Sequence, residues 1–182
     1  HLTTAVEAAE IRARKTAQDV RISTEVTLHH LLFDSRDVAR LGHQLKCNPA
    51  IKEPEDRHAL WEALRDGTID FIATDHAPHL LERKALGYFD APSGVPGCEM
   101  VLPALLHEAS LGRITLAEIV RWTSASPARH YRLRGKGQIA KGYDADLVIV
   151  DLTRERRVER AGVRSRAGYL PWEGQIIRGW PI

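Results

Sequence analysis

The sequence predicts an α/β fold organised on short parallel strands. Two observations carry the prediction. Brief β-branched or apolar runs alternate with stretches rich in helix formers, the rhythm of a parallel sheet. The runs also end in clusters of ionisable side chains, which is where ligands sit in a barrel or an open α/β sheet. A third observation divides the chain. After Leu133 the character changes to Gly-rich spacing with short β runs, so residues 1–133 are expected to form the α/β unit and residues 134–182 a smaller β unit.

The elements follow in order. Thr3 or Thr4 is placed to cap a helix, with Glu7 as capping-box partner. Ala5 to Gln18 is rich in Ala, Glu, Arg and Lys, all good helix formers. Arg21 to Thr27 alternates with β-branched residues and reads as a strand that ends in Leu28-His29-His30-Leu31-Leu32. Asp34 to Gly42 reads as a short helix or turn. Lys46 to Lys52 is a loop, because Pro49 restricts Asn48 to extended conformations. Glu53 to Asp66 carries Leu60, Trp61 and Leu64 at helical spacing, and Gly67 closes it.

Ile69 to His79 is the central stretch. Phe71, Ile72 and Ala73 form an apolar run suited to burial on both faces of a parallel sheet. Thr74-Asp75-His76-Ala77-Pro78-His79 follows at its C-terminal end. Leu80 to Gly97 is a long Gly- and Pro-containing connection, a kind that is usually functional. Glu99 to Ser110 reads as a mostly apolar, buried helix, and Thr115 to Ala125 as an amphipathic one capped by Thr115 with Glu118 three residues on. In the last unit a turn at Lys141 to Asp146 precedes a strand at Leu147 to Val150.

Composition excludes several classes. A chain of 182 residues can bury a real core, and 43% hydrophobic with 27% charged residues is ordinary for a globular protein. A net charge of +2 gives no mandate for nucleic acid or an anionic membrane. The arginines from Arg154 to Arg166 read as a solvated surface or a subunit contact. Cys47 and Cys98 are far apart and in no metal-ligand spacing, so they are expected to be buried thiols in a reducing cytoplasm. No apolar run approaches the length of a membrane span, and no stretch reads as a secretory signal.

One carboxylate and two imidazoles within five residues, at Asp75, His76 and His79, can bind a metal, move a proton or hold an anion. Read alone, Asp75 could equally cap the next segment. The longer word, Ala73-Thr-Asp-His-Ala-Pro-His79, resembles the last-strand motif of dihydroorotases, in the cyclic-amide branch of the amidohydrolase superfamily. Four further words resemble that family in order: His1-Leu-Thr-Thr, Glu25-Val-Thr-Leu-His-His-Leu31, Cys47-Asn-Pro-Ala-Ile-Lys52 and Ala91-Pro-Ser-Gly-Val-Pro-Gly-Cys-Glu99. Lys141-Gly-Tyr-Asp-Ala-Asp-Leu-Val-Ile-Val-Asp151 resembles the return of the chain to a β-sandwich that flanks such barrels.

The resemblance implies the C-terminal part of a (β/α)8 TIM barrel of the metal-dependent hydrolase type, followed by part of a flanking β-sandwich unit. It implies a Zn2+ centre to which His1 and Asp75 contribute, with Asp75 also the general acid and base. Asn48, His79 and the backbone at Gly94 would hold the substrate. The remaining ligands, a His-x-His pair among them, would lie on strands outside these residues. His29 and His30 are expected to be structural or to support other residues, because adjacent side chains in an extended segment point apart and cannot easily share one metal. Two positions depart from the pattern: Leu28 stands where Pro is usual, and Lys52 where Arg is usual, which keeps the charge but loses a bidentate fork.

The implied reaction is reversible hydrolysis of L-dihydroorotate to N-carbamoyl-L-aspartate in pyrimidine synthesis, with a small-molecule substrate, a homo-oligomeric state, and aspartate carbamoyltransferase as a partner. Nucleic acid and membrane are not expected partners, and the cytoplasm is the expected location. A sister hydrolase acting on allantoin or hydantoins, or an inactive scaffold for the carbamoyltransferase, stays open as an alternative. Residues 1–182 alone are expected to be inactive.

Overall fold

The computed structural model describes residues 1–17 and 22–182. Its first helix, α1 (Ala5–Ala17), opens on a hydrogen-bonded cap. The Glu7 carboxylate accepts from the Thr3 and Thr4 amides at 2.7 and 2.9 Å, and Thr4 Oγ1 accepts from the Glu7 amide at 3.1 Å. Two amides left unpaired by helix geometry are thereby satisfied. The expected end of this helix at Gln18, and the expected strand start at Arg21, lie outside the described residues.

Strand β1 is shorter than its β-branched run, spanning Glu25–Thr27. It does not continue through the histidines. Thr27 instead caps a helix, α2 (Leu28–Leu32), by accepting the His30 amide on its hydroxyl, so the expected extended strand end is helical. Next comes α3 (Ser35–Leu41), with Asp34 as N-cap and a complete capping box to Asp37. Helix α4 (Pro54–Asp66) has Pro at its first turn and ends on Gly67 at φ +83°, a left-handed conformation that suits glycine. Strand β2 (Phe71–Ala73) follows.

Strands β1 and β2 pair in parallel, Glu25 opposite Phe71 and Thr27 opposite Ala73. Leu2 donates its amide to the Glu25 carbonyl at 2.9 Å, so His1 and Leu2 run beside β1. The long connection after β2 contains one short helix, α5 (Leu81–Lys84). A 3₁₀ turn at Cys98–Met100 leads into α6 (Val101–Ser110), whose Pro103, Ala104, Leu105 and Leu106 are all buried. Thr115 and Glu118 form the expected capping box of α7 (Leu116–Val120), which continues through a π-turn, Arg121–Ala125, into α8 (Ser126–His130).

The last strands are β3 (Val150–Arg157) and β4 (Ile176–Pro181), paired antiparallel with Val150 opposite Pro181. The strand expected at residues 147–150 thus begins only at Val150 and runs seven residues further than expected. The reason is pairing: β4 supplies partners from Val150 onward, while Leu147, Val148 and Ile149 stay exposed. Strand β4 lies against α6, and the Arg178 amide donates to His107 Nδ1 at 3.3 Å. One hydrophobic core takes in Leu28, Leu31, Leu60, Leu64, Ile69, Leu105 and Trp122 together with Val158, Trp172 and Ile177 from the last third of the chain. Among the described residues no helix is long and apolar enough to cross a membrane.

Asp34 ties this core to its surface. Its side chain is buried, accepts from Arg36 Nη2 at 2.6 Å, and lies 3.2 Å from Arg57 Nη1 on α4. The hydrogen bonds from Arg36 hold its carboxyl down to about 2, below the ordinary 3.8, against a burial effect that works the other way. A depressed carboxylate pKa stabilises the fold above the unfolded value and stops doing so as pH falls through the folded one. Asp34→Ala should therefore lower stability at pH 7 by about 1–3 kcal/mol. Urea titrations should show the deficit shrinking as pH falls from about 4 toward 2; a deficit that is constant with pH would refute the role of the charge.

Candidate active site

The parallel pairing of β1 and β2 sets the site. It aligns two strand ends and presents Asp75 beside the residues alongside β1. His1 Nδ1 lies 2.8 Å from Glu25 Oε1, and His1 Nε2 lies 3.9 Å from Asp75 Oδ1. A carboxylate at Nδ1 fixes that nitrogen as the donor and leaves Nε2, with its lone pair, aimed at Asp75. Zinc bonds of about 2.0–2.2 Å to nitrogen and oxygen let atoms at this separation share one ion at an opened angle. Nε2 and Oδ1 fit as two ligands, whereas a catalytic zinc takes three from protein. Glu25 belongs to one of the recognised sequence words, but its contact with His1 was not legible there.

Asp75 is held in a strained backbone. Its φ is +42°, uncommon for a residue with a Cβ. Such outliers persist only where the surroundings over-determine them. Here the surroundings are a bridge between His76 and Val95, the Thr74 hydroxyl accepting the His76 amide at 3.2 Å, and His76 Nδ1 accepting the Gly97 and Cys98 amides at 3.1 and 3.3 Å.

The other expected residues fall on three loops stitched together. His79 Nε2 donates to the Ser93 carbonyl at 3.0 Å. Gly94 sits at φ +142°, and a Cβ there would lie 2.4 Å from Ala77 Cβ and 3.0 Å from His79 Cδ2, so only glycine permits this approach. Its amide donates to the Lys46 carbonyl at 2.9 Å and its carbonyl accepts from Lys84 Nζ at 2.8 Å. Both polar groups of Gly94 are thus engaged within the protein, so its contribution here is the close approach of the loops. Asn48 is exposed on the Lys46–Lys52 loop.

Lys84, which no sequence motif singles out, joins those loops. It is 1% exposed, and its ammonium donates to the carbonyls of Lys46, Pro92 and Gly94 at 2.8, 3.0 and 2.8 Å. Burial draws its pKa down to about 8, while three acceptors use all three protons. Nothing in the sequence marks it, because a lysine in a polar connection reads as solvent-exposed.

The profile of the amidohydrolase family matches residues 3–174. The chain belongs to the amidohydrolase family. It is 40% identical over 183 residues to the dihydroorotase of Halalkalibacterium halodurans, which covers 100% of this chain and 42% of that protein. The dihydroorotase of Methanothermobacter thermautotrophicus is 43% identical over 161 residues, covering 88% of this chain and 37% of that protein. Among solved structures, an L-hydantoinase (dihydropyrimidinase) from Arthrobacter aurescens superposes with a TM-score of 0.90 at 32% identity, covering 100% of this chain and 41% of that one. The amidohydrolase chain therefore spans about two fifths of the length of the curated relatives it matches.

Lys84→Met in the amidohydrolase should leave the Pro92 and Gly94 carbonyls without a donor, the Lys46 carbonyl keeping the Gly94 amide, and lower stability by about 2 kcal/mol or more. Hydrogen exchange at the Gly94 amide should quicken with it. Unchanged exchange at Gly94 would show that the ammonium does not hold the loops together.

Proposed function

We propose that this chain is the C-terminal part of a dihydroorotase: residues 1–133 the last portion of a (β/α)8 barrel, and residues 134–182 part of a flanking β unit. The observation that carries the reading is the His1–Asp75 pair, with Glu25 of β1 behind His1 and Asp75 just past the C-terminal end of β2. Full-length similarity of this chain to dihydroorotases supports it. The coverage of 42% of such a relative agrees with a portion of a longer protein.

In this reading His1 and Asp75 hold zinc together with residues beyond this chain. Zinc supplies charge that polarises the ring carbonyl and makes water acidic near neutral pH. Asp75 takes the proton from the attacking water and returns it to the leaving ring nitrogen, so one carboxylate serves as base and then acid. Its strained backbone fixes where that carboxylate points. Asn48 offers a donor and an acceptor to an amide edge. His79 donates from Nε2 to Ser93, and Nδ1 of the doubly protonated ring is the donor left for the substrate carboxylate. Gly94 brings that loop against His79. Homo-oligomer contacts and an aspartate carbamoyltransferase partner belong to the same reading.

A second reading, a hydantoinase, is favoured by the likeness to solved hydantoinases at TM-scores near 0.9. The Asp75-to-His79 word and the Asn48 loop weigh toward dihydroorotate. Assay of the intact enzyme on dihydroorotate, hydantoin and allantoin decides between them: hydantoin turnover with none on dihydroorotate would replace the first reading by the second.

Two variants test the roles. Asp75→Asn should lower turnover of dihydroorotate by about 10²-fold to 10⁴-fold with the metal still bound, since the amide cannot accept the proton. Glu25→Gln should weaken zinc affinity by about 10-fold to 100-fold, as losing an orienting partner does. Zinc content after dialysis against graded chelator checks the second, and full activity in Asp75→Asn would end the assignment.

A further inference from the structure

The chain carries a second histidine cluster, separate from the His1–Asp75 pair. Because α2 starts directly after β1, His29 and His30 share a helical turn with ring centroids 4.7 Å apart, tilted by 43°. The loop before Asn48 brings Cys47 to them. One ligand atom from each of His29, His30 and Cys47 falls within 4.8 Å of the other two, and all three residues are buried. This overturns the expectation that the adjacent histidines point apart. It also revises the expectation for the cysteines, since Cys47 is buried and Cys98 exposed, both free.

His29 Nε2 is the telling atom. The residue is 1% exposed, and Nε2 has no hydrogen-bond partner among the described residues. A buried polar atom left unpaired costs about 1–3 kcal/mol. Burial keeps the His29 ring neutral, with its pKa down to about 3, so the atom is a ligand-competent imidazole nitrogen at ordinary pH. Its neighbours are a second imidazole and a thiol. Two nitrogens and one sulfur are the donor set that borderline and soft cations select, and hard cations such as Mg2+ or Ca2+ do not.

We infer that His29, His30 and Cys47 form a binding site for a thiophilic divalent cation of the zinc–cadmium class.

The protons balance within the cluster. At present the His30 ring donates from Nε2 to the Pro49 carbonyl at 3.0 Å and accepts at Nδ1 from the Thr27 hydroxyl at 2.6 Å. The Cys47 thiol donates to the same carbonyl at 3.2 Å. When the cation arrives, the Cys47 S–H bond breaks, its proton leaves to solvent, and the sulfur's electron pair forms the metal bond. The His30 proton moves from Nε2 to Nδ1, where Thr27 accepts it, and Nε2 becomes a ligand held by that hydroxyl. His29 binds through Nε2 with no change in its proton count. Zinc bonds of about 2.3 Å to sulfur and 2.0–2.1 Å to nitrogen give a ligand triangle with edges of about 3.3–3.6 Å, so the groups draw in by about an ångström.

Cadmium titration of the purified protein tests the site, because a thiolate on cadmium gives a charge-transfer band in the ultraviolet. The His1–Asp75 pair has no sulfur and contributes none. Cys98→Ser serves as the background, since Cys98 is exposed. In that background the band should grow to one equivalent. Cys47→Ala should abolish it, and His29→Gln, which leaves the thiol in place, should weaken the affinity at least about tenfold. A band absent from the Cys98→Ser protein, a band retained in Cys47→Ala, or unchanged affinity in His29→Gln would each overturn the assignment.

Discussion

The parallel pairing of β1 with β2 is the constraint on which the rest depends. Only three residues pair on each strand, Glu25 to Thr27 with Phe71 to Ala73. Parallel pairing makes both strands end on the same side of the sheet. Two groups with chemistry lie just beyond those ends, α2 with its histidines after Thr27 and the Asp75 turn after Ala73, while Glu25 with His1 beside it starts β1. An antiparallel pairing of the same segments would place Asp75 at the opposite end from His30. Closeness of the two ends shows in the electrostatics. Burial pushes the Cys47 thiol up to about 11, and the Asp75 carboxylate adds to that rise.

The strand ends alone would not hold a site, because the segments beyond them are loops with many backbone polar groups to satisfy. The structure satisfies them with side chains rather than with more sheet. Lys84 closes three carbonyls, His76 accepts two amides, and His79 closes a fourth carbonyl. This solution lets the backbone at Asp75 stay in a conformation it would otherwise leave. It also explains why Gly94 cannot carry a side chain: loops joined by such short bridges approach closely enough that a Cβ collides with Ala77.

Local signals were the legible part of the fold. Thr4 with Glu7, Thr115 with Glu118, and Gly67 after α4 each satisfy a helix end within a few residues, so the sequence word contains its own cause. Strand extent was not legible. The run before Thr27 is β-branched beyond the three residues that pair, and β3 extends through Thr153-Arg154-Glu155-Arg156, which no apolar pattern marks. Strands exist where partners are, and partners lie far along the chain. The same holds for the site. Asp75 and His1 were legible as residues within words, whereas Glu25 behind His1 and Lys84 between the loops became visible only once distant segments met.

The tautomers that these contacts impose divide the histidines by task. His1 spends Nδ1 on a carboxylate, which stabilises its proton there and keeps Nε2 free to bind a cation. His79 spends Nε2 on a carbonyl, which can only accept, so the proton on Nε2 is fixed and Nδ1 carries the lone pair in the neutral ring. A neutral His79 therefore repels a carboxylate oxygen rather than holding it. Only the doubly protonated ring donates to Ser93 and to an anion at once. His76 Nδ1 accepts the Gly97 and Cys98 amides, so in the neutral ring the proton sits on Nε2. In one short word with two histidines, hydrogen bonds to the backbone thus decide which nitrogen of each ring carries the proton and which carries the lone pair.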